Sequence, residues 1–421
     1  MASDFNKATH IRYFLRCLKT HLPTAYTSND SQRMTLAFFV LCGLDLLGAL
    51  EANTTEDERE AYVAWIYTCQ HPDGGFRGFT GADLGEERTQ DNEHWDPANI
   101  AATYFALASL VILGDDLSRV KRSQCLRWLK RLQLSDGTFG EALGGEGEAH
   151  SGRDMRFCYC AAAIRWILAG GTTEEEDIDV DGLVRFIEAS QTYEGGFANG
   201  PFYEAHAGWT YCAIAALSLL GLLHPPAKPR RRAQPWPSDD SVEQMLGWLV
   251  NLQTSLLQEE DLSISDSTEA IAQLELENVA QQTPVESIQV LSPEDPLTDG
   301  VDAEPLYDEL QWAGLTGRCN KVADTCYAFW AGGSLTILNS VHLLDQGALR
   351  RYLLEKTQHR IGGFGKLPGD APDIMHSCLG LAGLAGMGEP DLMRYDPSLC
   401  ISLQAKQRLE SLPWRQRCLS N

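Results

Sequence analysis

Apolar residues recur along the chain with helical spacing, in two kinds of segment that alternate. The first kind is amphipathic, as in residues 120–133, where Leu126, Leu129 and Leu132 lie on one face. The second kind is apolar nearly all round, which is typical of a buried helix. We find no run in which apolar and polar residues strictly alternate, so we expect few strands. The fully apolar segments cover residues 98–113, 156–169, 209–222, 325–338 and 375–384.

A short motif ends the amphipathic segments and repeats along the chain. It reads Gln-x-x-(Asp/Glu)-Gly-(Gly)-Phe and occurs at 70–76, 133–139 and 191–197. A fourth copy at 358–364 keeps the spacing but has Ile361 in place of the acid. Gln253 ends a similar segment without a Gly-Gly-Phe after it. Glycine suits a tight turn because it adopts positive φ without steric cost, so each motif indicates a turn between two helices.

Half-buried helices that alternate with fully buried ones predict two concentric layers. We therefore predict an all-α fold, an α/α barrel or toroid of repeated helical hairpins around a central cavity. An open, one-dimensional helical solenoid is the alternative that periodicity alone leaves standing. We expect residues 1–421 to form a single domain.

The net charge of −24 comes mainly from one part of the chain of 421 residues. Residues 233–317 contain 18 acidic residues and no Lys or Arg. Within them, 258–310 is acidic, contains Ser, Pro and Thr, and is poor in aromatic residues, so we predict a loop or a disordered insertion. Such an acidic chain is a poor general binder of nucleic acid or of anionic membranes.

Cysteine content and hydropathy indicate the compartment. The 12 cysteines are scattered, which favours reduced thiols in the cytoplasm. The N-terminus lacks the features of a signal peptide, and the apolar stretch 34–50 is too short and too charged to span a membrane. We expect the arginines of 230–232 to lie on a surface loop. The C-terminal tetrapeptide from Cys418 resembles a Cys-a-a-X box only superficially, since Ser420 is not aliphatic.

The residue types of a zinc site occur at the starts of two apolar segments. Asp324 and Cys326 open one segment, and His376 opens the next. Thiolate, imidazole and carboxylate together suit zinc, and three protein ligands leave one position open for catalysis. By spacing alone this signal is weak, because an Asp-x-Cys pair is common and a histidine at a helix start often serves as a cap or core residue.

Cationic side chains lie close to this candidate metal site in the sequence. Arg318 and Lys321 precede Asp324, and cations in so acidic a chain indicate a site for phosphate or diphosphate. The alternative is that both are surface charges that pair with the acidic insertion. His206 and Arg156 lie at the starts of two other apolar segments. In a barrel, all these residues would converge on one rim of the cavity.

These motifs resemble the β subunit of protein prenyltransferases. The residues that carry the resemblance are 317–330, 204–212 and the Gln…Gly-Gly-Phe repeats, and it extends over about 34–384 without the insertion. It implies an α/α barrel that works as a heterodimer with a helical-repeat α subunit. It also implies one Zn²⁺ bound by Asp324, Cys326 and His376, and a thioether product at a C-terminal Cys-a-a-X motif. Isoprenoid diphosphate would be bound by His206, Gly208, Arg318, Lys321, Tyr327 and Trp330, with Arg156 in the cavity near both substrates.

Two positions distinguish the members of this family. Farnesyltransferases have a bulky Trp at the floor of the isoprenoid pocket, where this sequence has Thr35. They also have an Asp ten residues before the zinc histidine, where this sequence has Lys366, whose ammonium can replace the charge of Mg²⁺. Both positions favour a type I geranylgeranyltransferase that acts on Rho/Rac-type GTPases ending mostly in Leu and does not require Mg²⁺. A farnesyltransferase β subunit remains the alternative.

Other classes of protein fit the sequence less well. The Rab-specific prenyltransferase is disfavoured because its chains are usually shorter and lack such an insertion. A terpene cyclase would need an Asp-x-Asp-Asp motif, which residues 177–181 do not supply. A non-catalytic helical interaction module would bind no zinc. The partners we expect are therefore an α subunit, geranylgeranyl diphosphate and Cys-a-a-X peptides, with no nucleic acid and no stable membrane insertion.

Overall fold

The structure is a computed structural model that describes residues 4–26, 28–144, 147–150, 152–170, 176–223, 237–257 and 311–420. The predicted acidic insertion and the arginines of 230–232 lie outside the described residues. In the part that the structure describes, no helix is both long enough and apolar enough to cross a membrane. All twelve cysteines are free thiols, and ten of them are buried.

Helices alternate along the chain between an outer and an inner layer. The outer helices are α1 (Lys7–Lys19), α4 (Glu56–Thr68), α6 (Arg122–Arg131), α8 (Val180–Ala189), α10 (Asp239–Val250) and α12 (Gln346–Arg351). The inner helices are α2 (Arg33–Leu46), α5 (Ile100–Ile112), α7 (Met155–Ile167), α9 (Ala207–Leu219), α11 (Tyr327–Ile337) and α13 (Ile374–Gly386). The remaining α-helices are α3 (Leu50–Asn53), α14 (Leu403–Ser411) and α15 (Pro413–Ser420).

Short elements connect these helices. The six 3₁₀ turns of the described chain are Thr24–Tyr26, Asp30–Gln32, Thr80–Ala82, Gly85–Glu87, Glu93–Trp95 and Val341–Leu343, and a π-helical turn covers Tyr352–Thr357. Three two-stranded antiparallel ladders pair β1 (Ala142–Leu143) with β2 (Ala149–His150), β3 (Gln253–Thr254) with β4 (Gly314–Leu315), and β5 (Tyr395–Asp396) with β6 (Ile401–Ser402). Within the described residues, the prediction of few strands is confirmed.

The inner helices form a closed ring. Each of α2, α5, α7, α9, α11 and α13 packs against the next, and α13 packs back against α2. The five apolar segments predicted as buried helices are all inner helices, with ends within three residues of the predicted ones. The sixth inner helix, α2, overlaps the apolar stretch 34–50. Because the ring closes on itself, the α/α barrel is confirmed and the open solenoid is wrong.

The repeated glutamine motif joins neighbouring hairpins. In all four copies the Gln forms an antiparallel bridge with the Phe six residues later. Its side chain then binds the backbone at the start of the next outer helix, as Gln133 Oε1 accepts the Asp179 N–H at 2.7 Å. In the last copy, Gln358 Oε1 accepts the N–H of Asn6, the N-cap of α1, at 3.3 Å. The same contact that links the repeats therefore also closes the ring.

The fifth glutamine, which lacks a Gly-Gly-Phe, belongs to a motif that is split by the insertion. Gln253 pairs with Leu315 across the β3–β4 ladder, so Leu315 takes the place of the phenylalanine. The Gln253 amide also binds Asp345, the N-cap of α12, through both its N–H and C=O (2.9 Å each). Gln253 and Leu315 therefore make, across the insertion in the sequence, the pairing that the other repeats make within seven residues.

The C-terminal segment closes one end of the barrel. Met393 N donates to Leu46 O (2.7 Å) at the end of α2, and the chain then enters the ring as β5 and β6. Three tyrosines on consecutive inner helices donate hydrogen bonds to the carbonyls of residues 397–399 at 2.8–3.1 Å: Tyr104, Tyr159 and Tyr211. Arg408 and Arg415 of the same segment donate to the last carbonyls of α5 and α7. The C-terminal segment therefore covers the ring where the inner helices end, which leaves the rim where they begin as the uncovered one.

Candidate functional site

The starts of the inner helices are linked to one another around that rim. At the starts of α2, α5, α7, α9 and α11, one backbone N–H donates to the segment that precedes the next inner helix, over 2.9–3.0 Å. The five bonds run from Met34 to Gly78 O, Ile100 to Glu141 O, Met155 to Asn199 Oδ1, Ala207 to Gly317 O and Thr325 to Lys366 O. These bonds hold the six helix starts in register. Because the predicted site residues lie at or just before helix starts, the fold places them on the same rim.

Asp324, Cys326 and His376 form a compact group at this rim. One ligand atom from each lies within 4.8 Å of the others, and all three residues are buried. The Asp324 carboxylate accepts the Cys326 N–H at 2.8 Å, just before α11 begins. His376 lies in the first turn of α13 and places Nε2 3.2 Å from Asp324 Oδ1. The structure thus brings together the three residues predicted as metal ligands.

Asp373 orients the histidine of this group. It is the N-cap of α13, where Oδ1 accepts the His376 N–H at 2.9 Å. Its Oδ2 lies 2.5 Å from His376 Nδ1, and the Tyr26 hydroxyl donates to Oδ1 at 3.3 Å. A carboxylate behind a ligating imidazole fixes the ring and raises its basicity. We did not assign Asp373 from the sequence, although an N-cap Asp three residues before a candidate ligand was the available signal.

Burial and charge determine the protonation of the group. Burial favours neutral His376, but hydrogen bonds to Asp324 and Asp373 outweigh it and raise the pKa of His376 to about 9. Burial likewise favours neutral Asp324, yet the hydrogen bond with His376 lowers its pKa. Burial, and then the charge of Asp324, raise the pKa of Cys326 well above its usual value. A thiolate and a carboxylate are costly to bury together without a cation, so this donor set fits zinc.

A second polar group lies beside the first, at the start of α9. The Gly208 N–H donates to His206 Nδ1 at 3.0 Å, so Nε2 carries the proton of the neutral ring. That Nε2 lies 3.2 Å from the Tyr327 hydroxyl. Burial and the charge of Arg318 lower the pKa of His206, which keeps the ring neutral. The predicted residues His206, Gly208 and Tyr327 are therefore in contact across two helices.

The loop before the candidate metal ligands brings cationic side chains to the same rim. Arg318 is about half exposed and binds Glu204 through Nη1–Oε2 at 2.8 Å. Lys321 is exposed on the same loop. Gly317 is required here, since a Cβ would lie 2.4 Å from the Tyr327 ring. We did not assign roles to Glu204 or Gly317 from the sequence. The partner of Glu204 is Arg318, more than 100 positions away, and the role of Gly317 depends on the close approach of Tyr327.

The other predicted residues lie at the rim or on the inner helices. Lys366 is exposed, and its carbonyl accepts the Thr325 N–H between the two candidate ligands that precede α11. Arg156 is largely exposed in the first turn of α7 and pairs with Asp154 at 2.6 Å. Thr35 is half-buried in the first turn of α2. Trp330 is half-buried on α11, with its ring centre 5.1 Å from that of Tyr211.

Aromatic rings form a continuous belt around part of the ring of inner helices. Consecutive ring centres lie 5.1–5.9 Å apart from α2 to α11, in the order Phe38, Tyr104, Tyr159, Tyr211 and Trp330. Phe105 and Phe39 extend the belt near α2. Phe38 and the three tyrosines are buried in the core, whereas Phe39, Phe105 and Trp330 are half-buried. Half-buried aromatic rings with polar groups at one end are typical of a site for a largely apolar ligand that has a charged head.

Comparisons with known proteins agree with this architecture. Residues 5–401 match the model of the prenyltransferase alpha-alpha toroid domain. The chain is 30% identical to the type-1 geranylgeranyl transferase β subunit of Arabidopsis thaliana, covering 96% of this chain and 91% of the relative. It is also 30% identical to that of Dictyostelium discoideum, covering 96% and 97%. Identity to the protein farnesyltransferase β subunit of Schizosaccharomyces pombe is 25%, over 92% and 79%.

A solved structure shows the same fold. Protein geranylgeranyltransferase-I of Candida albicans, complexed with GGPP, superposes with a TM-score of 0.73 at 26% identity. The match covers 97% of this chain and 99% of that one. Together with the match of the domain model over most of the sequence, these similarities show that the chain belongs to the family of prenyltransferase β subunits with an α/α toroid.

Proposed function

We propose that this chain is the β subunit of a zinc-dependent type I protein geranylgeranyltransferase. It would transfer a geranylgeranyl group from geranylgeranyl diphosphate to the cysteine of a C-terminal Cys-a-a-X motif, with X mostly Leu, on Rho/Rac-type small GTPases. The observation that carries this proposal is the buried Asp324–Cys326–His376 group at the same rim as His206 and Tyr327.

The three grouped residues would hold one Zn²⁺ per chain, with Asp373 fixing the imidazole. Bound zinc lowers the pKa of a coordinated thiol, which makes a thiolate available near neutral pH. The three protein ligands leave room for a substrate thiol as the fourth. The narrow spread of their ligand atoms supports this role.

The polar residues of the rim would stabilise the leaving group. A bond forms between the substrate sulfur and C1 of the isoprenoid, and the bond from C1 to the diphosphate oxygen breaks. The diphosphate leaves with the bonding electrons, and the thiol proton goes to solvent. Donors that face the growing negative charge lower the barrier: His206 Nε2–H, the Tyr327 hydroxyl, Arg318 and Lys321. The exposed ammonium of Lys366 would take the place of a magnesium ion.

The inner helices would bind the isoprenoid and the peptide. The half-buried rings of Phe39, Phe105 and Trp330 suit a long apolar chain, and the small side chain of Thr35 leaves room for a fourth isoprene unit. Arg156 projects from the rim, where a peptide could reach it. A farnesyltransferase is the second candidate, because farnesyltransferase β subunits are 25% identical to this chain. Thr35 and Lys366 favour the geranylgeranyl enzyme.

A helical-repeat α subunit would complete the enzyme, in the cytoplasm. The acidic insertion would steer substrates with basic tails toward the rim, because opposite charges speed association. Its attachment point supports this role. Leu256, just before the insertion, accepts the Ala323 N–H at 2.8 Å, next to Asp324.

The proposal is tested on the α–β complex by measuring bound zinc and prenyl transfer in Cys326→Ala. We expect stoichiometric zinc in the wild type and the loss of both zinc and transfer in the variant. Cys319→Ala is the matched control, since Cys319 lies in the same region but is exposed and outside the group. Full transfer with zinc retained in Cys326→Ala would show that the assignment is wrong.

A further inference from the structure

A buried tyrosine behind the candidate metal site has a hydroxyl without a hydrogen-bond partner. Tyr352 is completely buried, and no described group meets hydrogen-bond distance and angle at its phenolic oxygen. Buried hydroxyls in native proteins are nearly always paired, so an unpaired one needs an explanation. The catalytic steps described above do not use it.

The surrounding backbone holds this side chain against the metal-binding segment. Tyr352 begins the π-helical turn that follows α12, and such turns are rare and often lie at functional sites. Its ring packs on Gly314 of β4, where a Cβ would come within 2.9 Å of Cε1. The next residue of that strand, Leu315, accepts the Asp324 N–H at 3.0 Å. One strand thus contacts both the tyrosine and a predicted ligand.

The residue between the two ligands of this segment offers an acceptor. Thr325 is completely buried and donates its hydroxyl hydrogen to Gly365 O at 2.7 Å, so its oxygen can still accept. Burial, followed by the charges of Asp324 and Cys326, raises the pKa of Tyr352, and an interaction with the nearby Thr325 side chain lowers it. The phenol therefore keeps its proton and can act only as a neutral donor to this segment.

We propose that Tyr352 is a positioning residue for the metal ligands, through a hydrogen bond from its hydroxyl to Thr325 Oγ1. The resulting series of hydrogen bonds runs from Tyr352 to Thr325 to Gly365 O and fixes the segment that carries Asp324 and Cys326. Outer groups that orient metal ligands commonly change metal affinity about 10- to 100-fold. This inference rests on the proposed zinc site, but it concerns residues that do not touch the metal.

The test is the zinc affinity of the α–β complex, measured by competition with a chelator. We expect Tyr352→Phe to raise the zinc Kd about tenfold. Thr325→Val should raise the zinc Kd to the same extent. The Kd of the double variant should be little higher than that of either single variant, because both changes break the same chain of hydrogen bonds. Thr325→Ser keeps the hydroxyl and should bind zinc as the wild type does.

Tyr395→Phe is the matched control, because Tyr395 is also a buried tyrosine whose hydroxyl lacks a partner, next to Gly386 at the closed end. It should leave the zinc Kd unchanged. The inference would fail, and the proposed function would stand, if the Tyr352→Phe complex binds zinc like the wild type and its thermal midpoint changes only as much as that of Tyr395→Phe. A wild type that binds no zinc would overturn the proposed function and the inference with it. If Tyr352→Phe does not fold, an unchanged Kd in Thr325→Val overturns the inference.

Discussion

The carboxylate of Asp373 lies 2.5 Å from Nδ1 of His376 and so turns Nε2 of that imidazole toward Asp324. The same carboxylate caps the helix on which His376 lies, through the N–H of that residue. One side chain therefore sets both the start of α13 and the direction of its candidate metal ligand. This double contact explains why the helix start and the site coincide.

Replacing Asp373 should weaken zinc binding more than it weakens the fold. We expect Asp373→Ala to raise the zinc Kd about 10- to 100-fold, because the imidazole loses its orienting acceptor. Loss of the cap should also cost about 1 kcal/mol of stability. Asn99→Ala is the control, since Asn99 caps α5 in the same way without touching the candidate ligands. Equal zinc affinities in the two variants would contradict the role of Asp373.

Thr35 should determine the length of the isoprenoid. A tryptophan at this position of the first turn of α2 would fill space that a fourth isoprene unit needs. We expect Thr35→Trp to shift the ratio of kcat/KM values from geranylgeranyl toward farnesyl diphosphate by at least tenfold. The reason is that a steric clash of this size costs more than about 1.4 kcal/mol of transition-state binding with the longer isoprenoid. Thr35→Ser should keep the wild-type preference. A wild type that already prefers farnesyl diphosphate would refute the type I assignment.

Lys366 should make transfer independent of magnesium. We expect the wild type to have the same transfer rate with Mg²⁺ and with EDTA. Lys366→Asp should become slower by at least tenfold without Mg²⁺ and recover part of its rate as Mg²⁺ is added, because an acid next to the diphosphate needs a cation between them. Arg360→Asp makes the same charge change at another exposed position of the last repeat turn. The hypothesis fails if both variants respond equally to Mg²⁺.

Removal of residues 258–310 tests the steering role of the insertion. We expect a short Gly-Ser linker between 257 and 311 to preserve the β3–β4 ladder and hence the fold. At low salt, kcat/KM for a substrate with a basic tail should fall about tenfold, and its dependence on salt should flatten. A substrate with a neutral tail serves as the control. Unchanged kcat/KM and salt dependence with the basic tail would rule the role out.

His10 should make the ring closure sensitive to acid. Its ring stacks between Phe5 and Phe364, and its nitrogens contact Gln358 Oε1 (2.9 Å) and the Gly363 N–H (3.0 Å). Burial lowers the pKa of His10 to about 4. In the unfolded chain the histidine takes up a proton near pH 6.5, while the folded one stays neutral to about pH 4. Stability is therefore lost as the pH falls through this window.

The expected loss from this histidine between pH 7 and pH 5 is about 2 kcal/mol. The thermal midpoint of His10→Asn should therefore fall less over this range than that of the wild type. The exposed His94 provides the control, because His94→Asn should follow the wild type. An identical fall in His10→Asn and the wild type would show that His10 does not control the acid response.

Much of the barrel could be read from the sequence because helical periodicity and turn glycines are local signals. The Gln…Phe repeats indicated the turns, and the fully apolar segments indicated the inner helices. The split motif at Gln253 was not recognised, because its partner Leu315 lies 62 residues away and only the β3–β4 pairing reveals it. Asp324, Cys326 and His376 were found as candidates, but spacing alone could not show that they meet.

The sequence by itself determined the alternation of half-buried and buried helices, the glycine turns and the types of side chain available for chemistry. Each of these depends on a residue and its near neighbours. Tertiary structure alone decided that the ring closes through Gln358 and Asn6 and that Asp373 supports His376. It also decided that the Tyr352 hydroxyl is buried behind the metal-binding segment. These relationships depend on distances between residues far apart in the chain, which only the packing of all six hairpins fixes.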